Sequence, residues 1–298
     1  MKEEIRRLQS NMAELGYIAE PEIATAVYLA TEMSKPLLIE GDAGVGKTEI
    51  AKVLAQLRGT DLIRLQCYEG LDVNTALYEW NYQHQLLRLK MAQDEGKGSA
   101  ELEQLIFSRD CLLERPLLRA ITHPDPAPVL LVDEIDRADD GFEAFLLEVL
   151  SDFQVTIPEL GTITATTKPH VVLTSNRTRE IGDALRRRCL YLFIGHPTLE
   201  KEIQIIEHRV PGIGDDLARQ IAAFVQGLRE RPLAKTPGVA ETIDWARALV
   251  KLHGARLDPE TVRLTLGCVI KDQRDTEEID RETITSLLGE AAGVGEAG

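Results

Sequence analysis

The sequence predicts an α/β fold in which helices cover both faces of a parallel sheet, followed by a smaller all-helical region. Short apolar runs typical of buried strands alternate with segments of helical periodicity over the first two thirds of the chain. After His196 the strand signals stop and several amphipathic helices follow. We therefore expect a core of residues 1–195, a helical lid of residues 196–286 and a flexible tail of residues 287–298.

The composition limits the function classes. Of the 298 residues 44% are hydrophobic, which is enough for one large or two modest domains. The 49 acidic residues outnumber the 34 basic ones, and the net charge of −15 argues against a general surface for nucleic acid or anionic membranes. No apolar run approaches membrane-spanning length, and the N-terminal MKEEIRRLQS lacks the apolar segment of a signal peptide. We expect a cytoplasmic location without stable membrane insertion.

The four cysteines do not indicate a metal site or a disulfide framework. Cys67, Cys111, Cys189 and Cys268 are scattered, without C-x-x-C spacing or a histidine partner. We expect them to be reduced core residues.

Five segments of the core are predicted as strands of the sheet. In chain order they read PLLI from residue 36, LIRLQC from 62, VLLV from 129, HVVLTS from 170 and LYLFI from 190. Helices are expected from Pro21, after the glycine-rich run at residues 41–48, and around Phe142 to Val149, because apolar residues recur there at helical spacing.

Two stretches exceed what plain connections require. Residues 68–128, between the second and third strands, form an insert with a polar break at DEGKGS and then helix. Residues 154–165, QVTIPELGTITA, show two alternating arms around PELG and predict a β-hairpin before the HVVLTS strand.

The run GDAGVGKT is the strongest motif. It fits G-x-x-x-x-G-K-[ST], a loop whose backbone N–H groups surround phosphates. Lys47 is expected to reach the outer phosphates and Thr48 to ligate Mg²⁺. A flexible glycine turn is the alternative, but a buried strand before the run and a helix after it favour a phosphate loop. The expected nucleotide contacts are Gly41, Asp42, Ala43, Gly44, Val45, Gly46, Lys47, Thr48 and Glu49.

Two acids end the third strand, in VLLVDEID. Open α/β sheets bind ligands at the carboxyl ends of their strands. Asp133 is expected to hold Mg²⁺ through its water shell, and Glu134 to polarise a water for attack on the γ-phosphate. Acids after a strand also occur as helix caps, and the phosphate loop is what favours the catalytic interpretation.

Two polar features follow the acids. If the HVVLTS strand lies between the other two motif-bearing strands, Asn176 projects between phosphate and base and can position the water; the alternative is an ordinary turn asparagine. Arg186, Arg187 and Arg188 precede the last strand. They are either a solvated helix end or the source of an arginine finger for a neighbouring subunit.

Together these motifs resemble an AAA+ ATPase. Over about residues 17 to 285 the chain also resembles the MoxR family, especially the CoxD-type accessory ATPases of carbon monoxide dehydrogenase maturation. This resemblance is carried by the insert, the hairpin and the segment LIRLQCYEGLDVNTALYEWNYQ. The resemblance implies a homo-oligomer, usually a ring of six subunits, with ATP and Mg²⁺ bound between neighbours. It also implies chaperone-like action with a von Willebrand A-domain partner on a client metalloenzyme.

The resemblance assigns further residues. Arg188 matches the finger best, with Arg187 beside it, and Tyr17 and Ile18 are expected at the base pocket. The hairpin tip, residues 158–161, is expected to face the central pore. One departure stands out: where the family usually has a sensing arginine early in a lid helix, TPGVAETIDWARAL has Glu241, and the nearest candidate is Arg247, more than a turn later.

Two other functions remain open. One is an ATP-binding switch or assembly scaffold with negligible turnover, which the misplaced lid arginine favours. The other is a DNA-linked motor or transcription activator, which the acidic charge and the lack of a recognisable DNA-binding motif disfavour.

Overall fold

The computed structural model describes residues 2–94, 98–254 and 256–295. It divides into two compact units. The sheet unit comprises residues 21–40 and the described residues of 48–193. The helical unit comprises residues 2–20, residues 41–47 and the described residues from 194 onward. Part of the polar break predicted in the insert, residues 95–97, and the end of the predicted tail, residues 296–298, lie outside the described residues.

The strands are β1 (Leu37–Gly41), β2 (Leu62–Gln66), β3 (Tyr78–Trp80), β4 (Leu112–Glu114), β5 (Val129–Asp133), β6 (Gln154–Ile157), β7 (Gly161–Thr164), β8 (His170–Ser175) and β9 (Leu190–Ile194). The helices are α1 (Lys2–Glu14), α2 (Pro21–Glu32), α3 (Lys47–Arg58), α4 (Val73–Ala76), α5 (Tyr82–Asp94), α6 (Ser99–Ile106), α7 (Pro116–Thr122), α8 (Asp140–Asp152), α9 (Asp183–Arg188), α10 (Leu199–Arg209), α11 (Asp215–Arg229), α12 (Val239–Lys251), α13 (Pro259–Thr265), α14 (Gln273–Glu278) and α15 (Arg281–Gly295). Within these described segments, no helix is both long enough and apolar enough to cross a membrane.

The main sheet has five strands in the order β2-β5-β8-β1-β9. β8 is parallel to both of its neighbours, β5 and β1, and β2 is parallel to β5. The predicted α/β sheet and the predicted place of the HVVLTS strand are therefore confirmed. Every residue of β1 and β5 is buried, as expected for strands covered on both faces, whereas the edge strands β2 and β9 alternate.

The sequence pattern did not indicate the small antiparallel sheet in the insert, where β3 pairs with β4. Both strands have three residues, too few for a periodic signal. Trp80 packs edge-on against Tyr78 and Phe107, at ring-centroid distances of 6.1 and 5.3 Å. Farther along the chain, β6 and β7 form an antiparallel hairpin closed at Ile157 and Gly161.

The helical unit has its own core around Phe224 and Trp245, whose rings lie 5.4 Å apart. Its last helix differs from expectation. The chain is helical through Gly295, where a flexible tail from residue 287 was predicted. Leu287 and Ala291, four residues apart on one helical face, are buried and hold this segment in place. The segment GEAAGVG, predicted as part of a tail, therefore continues the last helix.

Candidate active site

The phosphate loop, Gly41–Thr48, joins β1 to α3, which begins at Lys47. Gly44 and Gly46 have positive φ angles of 78° and 95°. Within the helical unit the ammonium group of Lys47 is buried and donates hydrogen bonds to the carbonyls of Gly41 and Asp42, at 2.8 and 2.7 Å. The lysine is thus folded back on its own loop, and bound phosphate oxygens would replace these two carbonyls as its partners.

The other residues expected at the nucleotide lie at the following places. Tyr17 is buried beside the loop, since a Cβ added to Gly46 would lie 3.7 Å from its Cε2, and Ile18 next to it is half-buried. Asp42 lies 3.6 Å from Nε2 of His196. Burial, with the charge of Arg229, lowers the pKa of His196, so this contact is not an ion pair at neutral pH.

Glu49 pairs with Lys52 along α3 at 2.9 Å.

Asp133 is buried in the sheet unit and accepts three side-chain hydrogen bonds. Its Oδ1 accepts hydrogen bonds from the hydroxyls of Thr48, at 3.1 Å, and Thr174, at 2.5 Å. Its Oδ2 accepts from the guanidinium of Arg64 at 2.6 Å. The structure therefore brings together the two residues predicted as metal ligands. Thr174 and Arg64 were missed, because neither belongs to a motif, although both lie on strands next to β5.

The donor set at Thr48 and Asp133 suits Mg²⁺, which prefers oxygen ligands and retains several waters. The described residues contain no group of three or more His, Cys, Asp or Glu side chains arranged as a metal cage. One hydroxyl and one carboxylate fit a cation whose remaining ligands come from water and phosphate.

Glu134 follows β5 with a left-handed backbone, φ 56° and ψ 50°. Its N–H donates to the hydroxyl of Thr174 at 2.9 Å, so Thr174 contacts both acids of the motif. The carboxylate of Glu134 is one third exposed and pairs with Arg137 at 2.7 Å. This pair fixes the direction of the carboxylate while leaving it accessible to solvent.

Asn176 is the first residue after β8, which ends at Ser175 rather than at the asparagine. The turn that carries it is held by Asp136, a buried carboxylate that accepts from the N–H of Thr178 at 2.9 Å and from its hydroxyl at 2.7 Å. Burial alone would raise the pKa of Asp136, but these hydrogen bonds and the backbone amide of Asn176 outweigh it and hold the pKa below its ordinary value.

A second buried carboxylate, Glu143 on α8, holds the rest of this turn. It pairs with Arg179 and accepts from the N–H of Gly182 at 2.8 Å, directly before α9. Of the three arginines on α9, Arg186 lies 3.4 Å from Glu40 and over the ring of Tyr191. Arg187 and Arg188 are exposed.

Arg247 is not placed at the phosphate loop. It lies eight residues after the first residue of α12, about 12 Å along the axis, where it pairs with Asp244 at 3.6 Å. Glu241 in the first turn of α12 lies beside Gly44 instead, and the expected contact of Arg247 with nucleotide stays a prediction.

This chain has the features that define the P-loop nucleoside triphosphatases. They are a buried parallel strand, a glycine loop ending in Lys-Thr, a helix after the loop and an acidic pair at the end of a nearby strand. Residues 36–189, just over half of the chain, match the AAA domain (dynein-related subfamily), and the chain belongs to this family. It is an ATP hydrolase of the AAA+ class.

Two curated relatives and one solved structure illustrate the similarity. The chain is 27% identical over 311 residues to the chaperone protein ClpB of Streptomyces albus G; the match covers 93% of this chain but only 31% of that protein. It is 23% identical over 279 residues to an uncharacterized protein of Staphylococcus saprophyticus, covering 90% and 97% of the two chains. A structure of Thermotoga maritima RuvB, a Holliday junction branch migration motor, is 19% identical with a TM-score of 0.47, covering 90% and 71%.

Proposed function

We propose that the protein is a MoxR-type AAA+ ATPase, a chaperone-like machine that couples ATP hydrolysis to maturation of a partner enzyme or loading of its metal cofactor. The observation that carries the hydrolytic part is the cluster in which Thr48, Thr174 and Arg64 fix Asp133 while Thr174 also fixes the backbone of Glu134. The chaperone part is supported by the similarity to ClpB and by the insert and hairpin described above.

In this proposal Thr48 and Asp133 hold Mg²⁺, which supplies positive charge against the phosphate oxygens. The loop N–H groups and Lys47 bind the phosphates of ATP, and Tyr17 and Ile18 border the adenine. Glu134 is the general base that takes a proton from the attacking water, and Asn176 orients that water. Arg137 keeps the Glu134 carboxylate aimed in one direction before the reaction.

The finger is assigned to Arg188, with Arg187 beside it, in the hexameric ring that the family resemblance implies. Arg186 is already engaged by Glu40 and Tyr191 of its own chain, whereas the other two arginines are exposed at the end of α9. A guanidinium offered to the neighbouring subunit can pair with γ-phosphate oxygens in bidentate fashion. A von Willebrand A-domain protein and a client metalloenzyme complete the proposed assembly.

Steady-state ATP hydrolysis per subunit, measured as the purified protein is diluted over several decades, tests the shared site. We expect specific activity to fall on dilution and Arg188→Ala to lower it about 10³-fold even at high concentration. Arg263→Ala removes an exposed arginine of α13 that has no assigned role and is the matched control. Constant activity on dilution, or full activity of the Arg188 variant, contradicts the shared site.

The maturation role needs its own measurement. A carbon monoxide dehydrogenase co-produced with the wild-type chain is expected to contain more metal than one co-produced with Glu134→Gln. Equal metal content in the two preparations, with hydrolysis confirmed for the wild type, contradicts the role in metal loading and leaves the ATPase intact.

A second candidate is an ATP-dependent switch or scaffold that assembles without appreciable turnover. It is favoured by the ion pair between Glu134 and Arg137, which engages one oxygen of the proposed base, and by Glu241 at the position where an arginine was expected. ATP-dependent assembly without hydrolysis at any protein concentration would establish this function.

A further inference from the structure

The start of α12 contacts the phosphate loop within the helical unit. The N–H groups of Val239 and Ala240 both donate to the carbonyl of Gly44, at 3.0 and 3.4 Å. The first N–H groups of a helix have no partner within that helix. The loop therefore supplies the acceptor that α12 lacks, and α12 in turn fixes the position of Gly44.

Two glycines allow the close approach. A Cβ on Gly238 would lie 2.8 Å from both the carbonyl oxygen of Ala43 and the Cα of Gly44. A Cβ on Gly44 would lie 3.1 Å from the Cα of Gly238, and Gly44 also has a positive φ angle. The pattern G-x-x-x-x-G-K-[ST] does not require glycine at position 44. The close contact with α12 explains why residue 44 is a glycine, since a side chain there would collide with the start of α12.

Glu241 adds a negative charge to the same contact. Its Oε2 accepts a hydrogen bond from the N–H of Gly238 at 3.1 Å and so satisfies the backbone donor of the N-cap residue of α12. The same oxygen would lie 3.1 Å from a Cβ on Gly44. A half-buried carboxylate thus lies against the loop to which the phosphates are assigned.

We propose that Glu241 is a positioning and affinity-setting residue for the nucleotide, a role that rests on the function proposed above. Its hydrogen bond to Gly238 holds the start of α12 on Gly44, and its charge repels the bound phosphates. At about 8 Å and an effective dielectric constant of about 40, each unit of phosphate charge weakens binding about fivefold. The repulsion is larger for a triphosphate than for a diphosphate. The charge of Glu241 therefore weakens the binding of ATP more than that of ADP and favours release of bound ATP.

Titration of the full chain with fluorescent ATP and ADP analogues in Mg²⁺ buffer, at low and high salt, tests the charge. Glu241→Gln keeps the shape and the acceptor oxygen but removes the charge. At low salt we expect the Kd to fall about 25-fold for the ATP analogue, whose Mg²⁺ complex carries about two net negative charges, and about fivefold for the ADP analogue, with about one; both gains should be smaller at high salt. A merely structural cap predicts no such salt dependence. An unchanged Kd, or a gain independent of salt, overturns the proposal.

Gly238→Ala tests the contact itself by placing a methyl group against the loop. We expect a Kd at least about tenfold higher, while Gly267→Ala, whose Cβ meets nothing within 4 Å, leaves it unchanged. Wild-type affinity in the Gly238 variant overturns the positioning role. A wild-type chain that binds neither analogue overturns the proposed function as well, whereas normal wild-type binding with two unchanged variants overturns only the role of Glu241 and its contact.

Discussion

The carboxyl edge of the sheet unit and the phosphate loop of the helical unit are fixed by different means. Around Asp133 the contacts come from side chains, two hydroxyls and a guanidinium. Around Gly44 the contacts come mainly from backbone N–H groups of α12, which two glycines allow to approach closely, with the carboxylate of Glu241 beside them. Substitutions that remove side-chain groups therefore test the region around Asp133. Substitutions that add a side chain at a glycine test the region around Gly44.

The largest expected effect removes the proposed base from the region fixed by side chains. Glu134→Gln should lower the rate constant of hydrolysis about 10²–10⁴-fold while ATP binding is retained, because the amide cannot accept the proton of the water. Single-turnover hydrolysis and a binding titration on the same preparation measure both quantities. Glu148→Gln, an exposed change on α8, is the control. Persisting hydrolysis would remove the catalytic role of Glu134.

The helical unit also contains a buried network of side chains. Glu202 and Arg229 form a buried ion pair at 2.6 Å, and Thr242 of α12 also donates to Glu202, at 2.9 Å. Arg229→Met leaves that carboxylate buried without its counter-ion and should cost about 3–5 kcal/mol in the free energy of unfolding.

Urea denaturation measures this loss. The exposed pair of Arg247 and Asp244 provides the control, since Arg247→Met should change the free energy of unfolding by less than about 1 kcal/mol. Equal losses in the two variants would mean that the buried network does not stabilise the helical unit.

A moderate effect is expected at the turn that carries Asn176. Asp136→Asn weakens the hydrogen bonds from Thr178 and should cost about 1–3 kcal/mol in the free energy of unfolding at neutral pH. The pKa of Asp136 is lower in the folded chain than its ordinary value of 3.8. Its stabilisation is therefore complete above that value and is lost as the pH falls through the folded pKa.

Denaturation of the wild type and Asp136→Asn at neutral pH and at about pH 3 measures the difference between them. The difference should shrink in acid. A difference that stays constant or grows as the pH falls would show that the charge of Asp136 is not what holds the turn.

The smallest effect concerns reactivity at the edge fixed by side chains. Cys67 is buried, its N–H donates to the carbonyl of Asp133 at 2.8 Å, and burial together with Asp133 raises the pKa of its thiol to about 12. We expect iodoacetamide to label Cys67 only after unfolding, since about one thiol in 10⁴ is ionised at pH 8. Mass spectrometry of native and denatured samples checks this, and rapid labelling of the native protein would show that the edge opens.

The strand order and the neighbours of Asp133 were predictable to different degrees. β1, β5 and β8 are short apolar runs buried on both faces, and composition alone marks them. The proximity of Asp133 and Thr48 follows from parallel strands that end at one edge of a sheet. Thr174 and Arg64 are ordinary strand residues by pattern, and only the register between strands shows what they contact.

The region fixed by backbone was not predictable for a physical reason. A contact between the carbonyl of Gly44 and the first turn of α12 involves no side chain that a motif could record. Arg247 was the nearest candidate for the sensing arginine that the resemblance implies, and it lies about two helical turns after the first residue of α12, so its contact with nucleotide stays a prediction. The helical course of residues 287–295 depends on packing of Leu287 and Ala291, which outweighs the low helix propensity of the glycines.

The paired glycines also limit how this chain can be recombined with its relatives. A chimaera that keeps residues 41–48 but takes its helical region from another family member would receive a side chain at position 238 unless the donor also has glycine there. That side chain would collide with the carbonyl of Ala43. Crossover points that separate Gly44 from Gly238 should yield hybrids that fold but bind nucleotide poorly. Hybrids that receive both glycines from one parent should bind nucleotide normally.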